Sequence, residues 1–494
     1  MKCVVLEAKD RVGGRTLSVP LKTASGTDIF DLGGQWVSTS QVDVLDLLRE
    51  LDLETYNQYI TGKKFMQLGG HKISSYISAI PSLSVLALLD LNSLLKKLEK
   101  MAKMADINEP YKRCPHAEKW DSLTVEEFIN QNAWTKGAKD SIVSATRCMM
   151  GVELSQISLL YYLSYTNAAG SFKKMVEAGE DCGQGLKIKG GAQQISTRLA
   201  EKLGKGAVKL GHPVTSIEQT KDFVTVKTLN GAVFKCKSVI IATPPNMTCK
   251  MNFQPSLPAP KIEIMKRMPI SLLNKVIITY DKAFWREAGQ SGEIVTIGGK
   301  TDMEGCDEGP LSIVYDATTS KGNAALVGFI GGKQAVQWQQ QSSEDRQSAV
   351  LKSLSEFFGE DVWKYKDYRE KDWGLEPYIE GSPICSAAPG SMPYFASGLR
   401  HSYDRIYFAG SESATRWCGF MNGAVQAGKR AALEVIYRFH PQAIDYEEMQ
   451  DAFTVSTNKM PTKRSYSYLK FSMGIGTVIG SSLLFAVYYY KIRK

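Results

Sequence analysis

Two places in the sequence carry charged side chains whose surroundings point to chemistry. The first is Glu7, which ends the short apolar run Cys3 to Leu6 and precedes Arg11-Val-Gly-Gly-Arg15-Thr16. That pattern reads as a buried parallel strand running into a Gly-Gly turn. An acid at the C-terminal end of the second strand of a dinucleotide fold is placed to accept hydrogen bonds from ribose hydroxyls. The second is Lys275, inside the otherwise apolar strand Pro269-Ile-Ser-Leu-Leu-Asn-Lys-Val-Ile-Ile-Thr-Tyr280. A lysine there is costly to bury without hydrogen bonds, so one reading is functional. The other is an edge position from which the side chain snorkels to solvent.

The elements that must position these residues are scattered along the chain. Asp31-Leu-Gly-Gly-Gln-Trp-Val37 is a second Gly-Gly turn, and Ser40 to Leu53 has helical spacing. Residues from about 56 to 185 read as mostly helical and amphipathic. Lys189-Gly-Gly-Ala192 feeds a further helix. Strands are expected at Val208–Leu210, Val214–Ile217 and Val224–Val226, with a hairpin at Leu229-Asn-Gly231 and a buried strand from Ser238. Residues 270–380 form another block of strands and helices, Arg405 to Gly410 is a strand, and Gly423-Ala-Val-Gln opens a helix. Nucleotide-type pieces at the start, middle and end imply a discontinuous α/β domain, doubly wound, carrying an inserted α+β domain. The expected division assigns 1–55, 189–265 and 385–436 to the first and 56–188 and 266–384 to the second, followed by a linker, 437–470.

Charge and cysteine content narrow the partners. Of the net charge of +9, seven units come from residues 456–494, which contain no acid. The remainder carries only +2, which argues against nucleic acid. Nine scattered cysteines without a CxxC pair, and only five histidines, argue against a metal site and fit free thiols in a reducing compartment. Residues 471–490 are uncharged, with Lys470 before them and Lys491-Ile-Arg-Lys494 after. A helix of that length spans about 30 Å, the thickness of a bilayer core. A C-terminal membrane anchor inserted after translation is expected, with the body facing the cytosol. The tail type suggests the mitochondrial outer membrane, with the endoplasmic reticulum as alternative.

Arg11-Val-Gly-Gly-Arg-Thr16 behind the Glu7 strand, and Phe408-Ala-Gly-Ser-Glu-Ser-Ala-Thr-Arg-Trp-Cys-Gly-Phe-Met-Asn-Gly-Ala424, resemble the flavin-containing amine oxidases, most closely the monoamine oxidases. The resemblance runs from Lys2 to about Ile436. It implies FAD lying extended through the α/β domain, with Glu7 and its neighbour Ala8 at the adenosine ribose and Val214 at the adenine. Arg15 would lie against the phosphate region, and Glu412 with the turn at Gly410 against the ribityl and phosphate portion. Gly33 and Gly34 would let backbone approach the flavin, with Met421 beside its ring. Lys275 would hold a water at the reactive nitrogen, Trp373 would pack on the flavin, and Gln184, Tyr315 and Phe329 would line the substrate cavity. The first βα unit of the nucleotide fold, with its Gly-rich pyrophosphate turn, is expected to be missing. Either a longer form of the chain exists, or this form binds FAD poorly.

Two departures from the monoamine oxidase pattern stand out. Where those enzymes attach FAD through a cysteine, this sequence aligns Ser382, with Cys385 three residues on. Serine cannot form the thioether, so non-covalent FAD is expected. Where they sandwich the amine between two tyrosines, this sequence has Pro383 and Phe420. One aromatic face, Phe420, is retained. The activity implied is oxidation of a small-molecule amine to an aldehyde through an imine, with dioxygen yielding hydrogen peroxide; a homodimer is left open. The alternative is a catalytically impaired homologue serving as a membrane-anchored scaffold or binding protein. A polyamine or histone-type oxidase fits the tail and the near-neutral body less well.

Overall fold

The computed structural model describes residues 2–70, 72–77 and 81–445. Its nucleotide-type segments meet across long stretches of sequence. Val5–Leu6 lies parallel to Val208–Lys209, and Val239–Ile241 lies parallel to Ile406–Phe408. Such pairs need crossover connections and draw no signal from neighbours in sequence. A four-stranded sheet adjoins them in the order Val233–Cys236, Val224–Thr228, Val214–Gln219, Asn252–Gln254. Its hairpin turns at Gly231, as the Asn-Gly pair suggests. The opening strand is parallel, as read, but it is not fully buried: Val4 is 42% and Val5 39% exposed. Among the described residues it pairs on one edge only, so its outer side chains lack the cover that an all-apolar run normally signals.

The largest sheet has seven strands. Their order is Tyr365–Lys371, Leu273–Tyr280, Ala325–Gly331, Ile313–Asp316, Gln290–Thr296, Lys63–Gln67 and Ser74–Tyr76. The last two correct the helical reading of 56–185, because Lys63–Gln67 pairs parallel with Gln290–Thr296. A partner more than 200 residues away leaves no local period to read. Helices do dominate from Val85–Ala102 onward. Leu159–Ala168, however, is not amphipathic: nine of its ten residues are buried, so apolar groups surround it.

Local chemistry sets where these helices start and stop. Thr124 and Glu127 form a reciprocal capping box on Val125–Asn132. The Ser158 hydroxyl accepts the N–H of Tyr161 and donates to Asp121, fixing the start of Leu159–Ala168. Lys136–Met150 ends on Gly151 in the left-handed region (φ 65°). A Cβ on Gly151 would also stand 2.9 Å from the Leu272 carbonyl oxygen.

No helix among the described residues is long and apolar enough to cross a membrane. The expected anchor, 471–490, and most of the expected linker lie outside the described residues. Gly151→Ala should destabilise the protein by about 1–2 kcal/mol through backbone strain and the Leu272 contact. Urea unfolding followed by circular dichroism checks this, with an unchanged slope expected.

Candidate active site

The site is built from three groups of residues. At one end, the Glu7 carboxylate accepts the N–H of Lys9 (2.9 Å), and the Glu7 carbonyl accepts the N–H of His212 (2.8 Å). These bonds bring Glu7 and Ala8 to the turn that leads into Val214–Gln219. Glu7, Ala8 and Val214 thus gather from strands far apart in sequence. Among the described residues the second carboxylate oxygen of Glu7 has no protein donor, and it suits a ribose hydroxyl.

In the middle stands Arg15. It donates to both oxygens of Glu412 (2.6 and 3.0 Å), to Ser411 Oγ and to the Pro383 carbonyl. Burial alone would raise the Glu412 pKa, but the charge and hydrogen bonds of Arg15 outweigh it and hold the carboxyl below its ordinary value. Gly410 precedes this acid in a positive-φ turn (89°). Arg15, Gly410 and Glu412 therefore form one fixed knot. The sequence reading put Arg15 and Glu412 separately against the cofactor; the geometry pairs them with each other first.

At the far end lies Lys275. Its strand is interior to the sheet, flanked by Ala325–Gly331 and Tyr365–Lys371, which rules out the edge alternative. The residue is 3% exposed. Its Nζ donates to the Gly33 carbonyl (2.9 Å) and to Gln35 Oε1, and lies 5.5 Å from the ring centres of Trp36 and Phe329. Burial pushes the Lys275 amine down to about 7, opposed by the charge of Asp31 and reinforced by that of Lys187. Trp373, also buried, donates its indole N–H to the Leu32 carbonyl (3.0 Å) and so braces the same turn.

Gly33 cannot carry a side chain, because a Cβ would lie 2.3 Å from the Arg15 carbonyl oxygen. The requirement comes from close packing of the two Gly-Gly turns. Gly34 is roomier, with Met421 as its neighbour at 3.9 Å. Met421 opens the helix Met421–Phe439, whose N-terminus has no side-chain cap. Its free N–H groups suit an electron-rich group.

Two aromatic walls complete the site. Tyr315 and Phe329 pack on Trp36 at 5.4 and 5.8 Å. Phe420 stacks on Tyr165 at 6.2 Å and meets Trp417 edge-on at 5.0 Å. Gln184 follows Gly183, which lies against Phe420 and Trp417, and the buried Gln184 Oε1 has no partner. Gln35, Trp36, Tyr165 and Trp417 were not singled out from sequence. Trp36 and Gln35 did stand in the quoted second Gly-Gly turn. Tyr165 gave no signal, since in Leu159–Ala168 it reads as helix core.

The uncapped helix, the paired Gly-Gly turns and the interior lysine beside an aromatic wall fit a flavin-dependent oxidoreductase. Residues 1–436 match the family model of flavin containing amine oxidoreductases. The chain is 34% identical over 443 residues to amine oxidase [flavin-containing] A of Equus caballus, covering 88% of this chain and 80% of that one. It is 31% identical to amine oxidase [flavin-containing] B of Homo sapiens, covering 98% and 92%. Among solved structures, putrescine oxidase bound to putrescine superposes with a TM-score of 0.81 at 27% identity, covering 88% and 93%. Cyclohexylamine oxidase from Brevibacterium oxydans gives 0.80 at 26%, with the same coverage. The chain belongs to the flavin-containing amine oxidoreductase family. It is an amine-oxidising flavoenzyme with the family's FAD-binding α/β fold.

The Lys275 amine near 7 in the folded state compares with about 10.4 in an unfolded chain. Between those values the unfolded state binds more protons, so this group makes stability rise with pH. Lys275→Met should therefore be more stable than the parent at pH 7, by roughly 2–4 kcal/mol, with the margin shrinking towards pH 10. Denaturant titrations of both proteins at several pH values check the sign.

Proposed function

We propose that the chain oxidises a small-molecule amine to an imine, which water converts to an aldehyde, with Lys275 working at the reacting face. The overall change is RCH2NH2 + O2 + H2O → RCHO + NH3 + H2O2. Bound FAD would accept the hydride equivalent from the α-carbon and pass the electrons to dioxygen. The observation that carries this reading is the interior position of Lys275 against the Gly33 turn, with an amine poised near neutrality.

The chain's own residues supply position and polarity. Glu7, Ala8 and Val214 would hold the adenosine end, and the knot of Arg15, Glu412 and Gly410 the middle. Gly33, Gly34, Trp373 and Met421 would hold the ring. Tyr315 and Phe329 on one side and Phe420 on the other would confine the amine, with Gln184 offering its carbonyl oxygen to an N–H. Phe420 lacks a hydroxyl, so its face can attract a cation but gives no hydrogen bond. In this reading 1–55, 189–265 and 385–436 serve the cofactor, and 56–188 with 266–384 serve the substrate.

Non-covalent attachment is the form the flavin would take. Ser382 Oγ donates to the Leu273 carbonyl (2.8 Å) and offers no thiol. The thiol of Cys385 is fully buried, donates to Asn246 Oδ1, and is pushed well up by burial and then by the Glu412 charge, so it is held as an unreactive thiol. Residues 471–490 would anchor the protein in the mitochondrial outer membrane, or otherwise the endoplasmic reticulum, with the body in the cytosol. The 20-residue uncharged run and its basic flanks support this.

Purified protein should show flavin bands in the visible spectrum, lose them to the supernatant on acid precipitation, and release peroxide with an amine. Colourless folded protein would favour the scaffold alternative, and flavin left in the pellet would restore a covalent link. Lys275→Met should slow peroxide release by about 10²-fold or more. Deleting 471–494 should move the protein from the membrane pellet to the soluble fraction; retention in the pellet would exclude the anchor.

A further inference from the structure

A small polar cavity lies behind the Lys275 site, between the hairpin strand Gly26–Asp31, the Gly190-Gly191 turn and the loop 317–321. Asp28, Asp31, Gln35, Tyr56, Lys187 and Lys321 are among its walls. The space open to water centres is about 40 Å³, enough for about two or three waters. Gln35 joins the cavity to the site. It is 5% exposed, and its Oε1 accepts from Lys275 while its Nε2 has no protein partner. An unpaired buried amide donor costs about 1–3 kcal/mol, which the amide accepts while its oxygen is kept on Lys275.

We propose that Gln35 is a positioning residue for Lys275: its amide oxygen fixes the amine so that the lone pair is turned to the reacting side. The inference rests on the placement of Lys275 at the reacting face proposed above. A neutral lysine amine has two N–H groups and one lone pair. The Gly33 carbonyl and Gln35 Oε1 take both N–H groups, so the lone pair is left to accept a hydrogen bond or a proton from the side where the amine reacts. A flipped Gln35 amide would offer Lys275 an N–H instead and consume the lone pair. The ammonium form of Lys275 opposes that flip, because it has donors only and needs an acceptor at Gln35.

The charged groups around this spot are accounted for. Asp31 accepts from Ser18 and from the Ala192 N–H. Lys187 donates to the Thr318 carbonyl and lies over the Tyr56 ring, and burial pushes it down to about 8. Lys371, the cross-strand partner of Lys275, is paired with Glu376. Asp28 is held by Thr319, Lys321 and Asn323. Ala325–Gly331, on the other flank, carries no ionisable side chain. Gln35 is thus the neutral contact between Lys275 and a charged cavity.

The test is a titration of Lys275 in the full-length protein, grown with lysine labelled at Cε with 13C. The signal is assigned by its loss in Lys275→Met. The parent resonance should titrate near 7. The isosteric Gln35→Glu places a carboxylate against the amine and should move the midpoint up by at least about 1 pH unit. Gln35→Leu removes one acceptor from the ammonium form and should move it down. The pH profile of amine oxidation should shift in the same directions. An unmoved Lys275 midpoint in both folded variants overturns the proposal. Shifted midpoints in a protein that oxidises no amine would instead overturn the functional reading and leave the positioning role standing.

Discussion

The site depends on one contact, the Lys275 amine on the backbone of the Gly33 turn. Lys275 belongs to an interior strand of the seven-stranded sheet, next to its edge strand, and Gly33 to the segment that also carries Arg15. The bond therefore ties that sheet to the Gly-Gly turns at the point where chemistry would occur. Removing an amine from water is unfavourable, and only two acceptors with fixed geometry offset it here. The fall of the Lys275 amine to near neutrality follows from the same burial. Structure and reactivity share one cause.

Around that contact the molecule uses rigidity in place of acid–base machinery. Gly33 packs so tightly on Arg15 that the two Gly-Gly turns meet backbone to backbone. Arg15 is then clamped by Glu412, and Glu412 is set by the turn at Gly410. From Lys275 to Glu412, each residue is thus placed through backbone contacts and one bidentate ion pair. A flavin enzyme gains from such stiffness because the cofactor carries the demanding chemistry and the protein must hold the C–H bond in line. The aromatic walls fit this scheme, since Trp36, Tyr315 and Phe329 support one another at ring distances of 5–6 Å.

Much of the site was legible because its residues violate local expectation. A lysine in an apolar strand, an acid closing a strand, and glycines paired at turns each contradict what packing alone would choose. Residues obeying local rules stayed hidden. Tyr165 looks like any core aromatic of a buried helix, yet it stacks on Phe420. Lys63–Gln67 looks unremarkable until it pairs with a strand two hundred residues later. Gln35 is the middle case: it stood in a conspicuous turn, but an amide has no charge to make it conspicuous.

By itself the sequence determined the residue types at the turns, the family they resemble, and the serine and phenylalanine that depart from the monoamine oxidase pattern. These are one-dimensional facts, carried by short motifs whose spacing is set by single turns. The tertiary structure decided that Lys275 is interior, that Arg15 and Glu412 bind each other, and that Gln35 bridges Lys275 to a polar cavity. The last two join residues 240 or more positions apart, and the first rests on strands 54 and 96 positions on. No local period encodes such a meeting, because it exists only once separate strands share a sheet and exclude water between them.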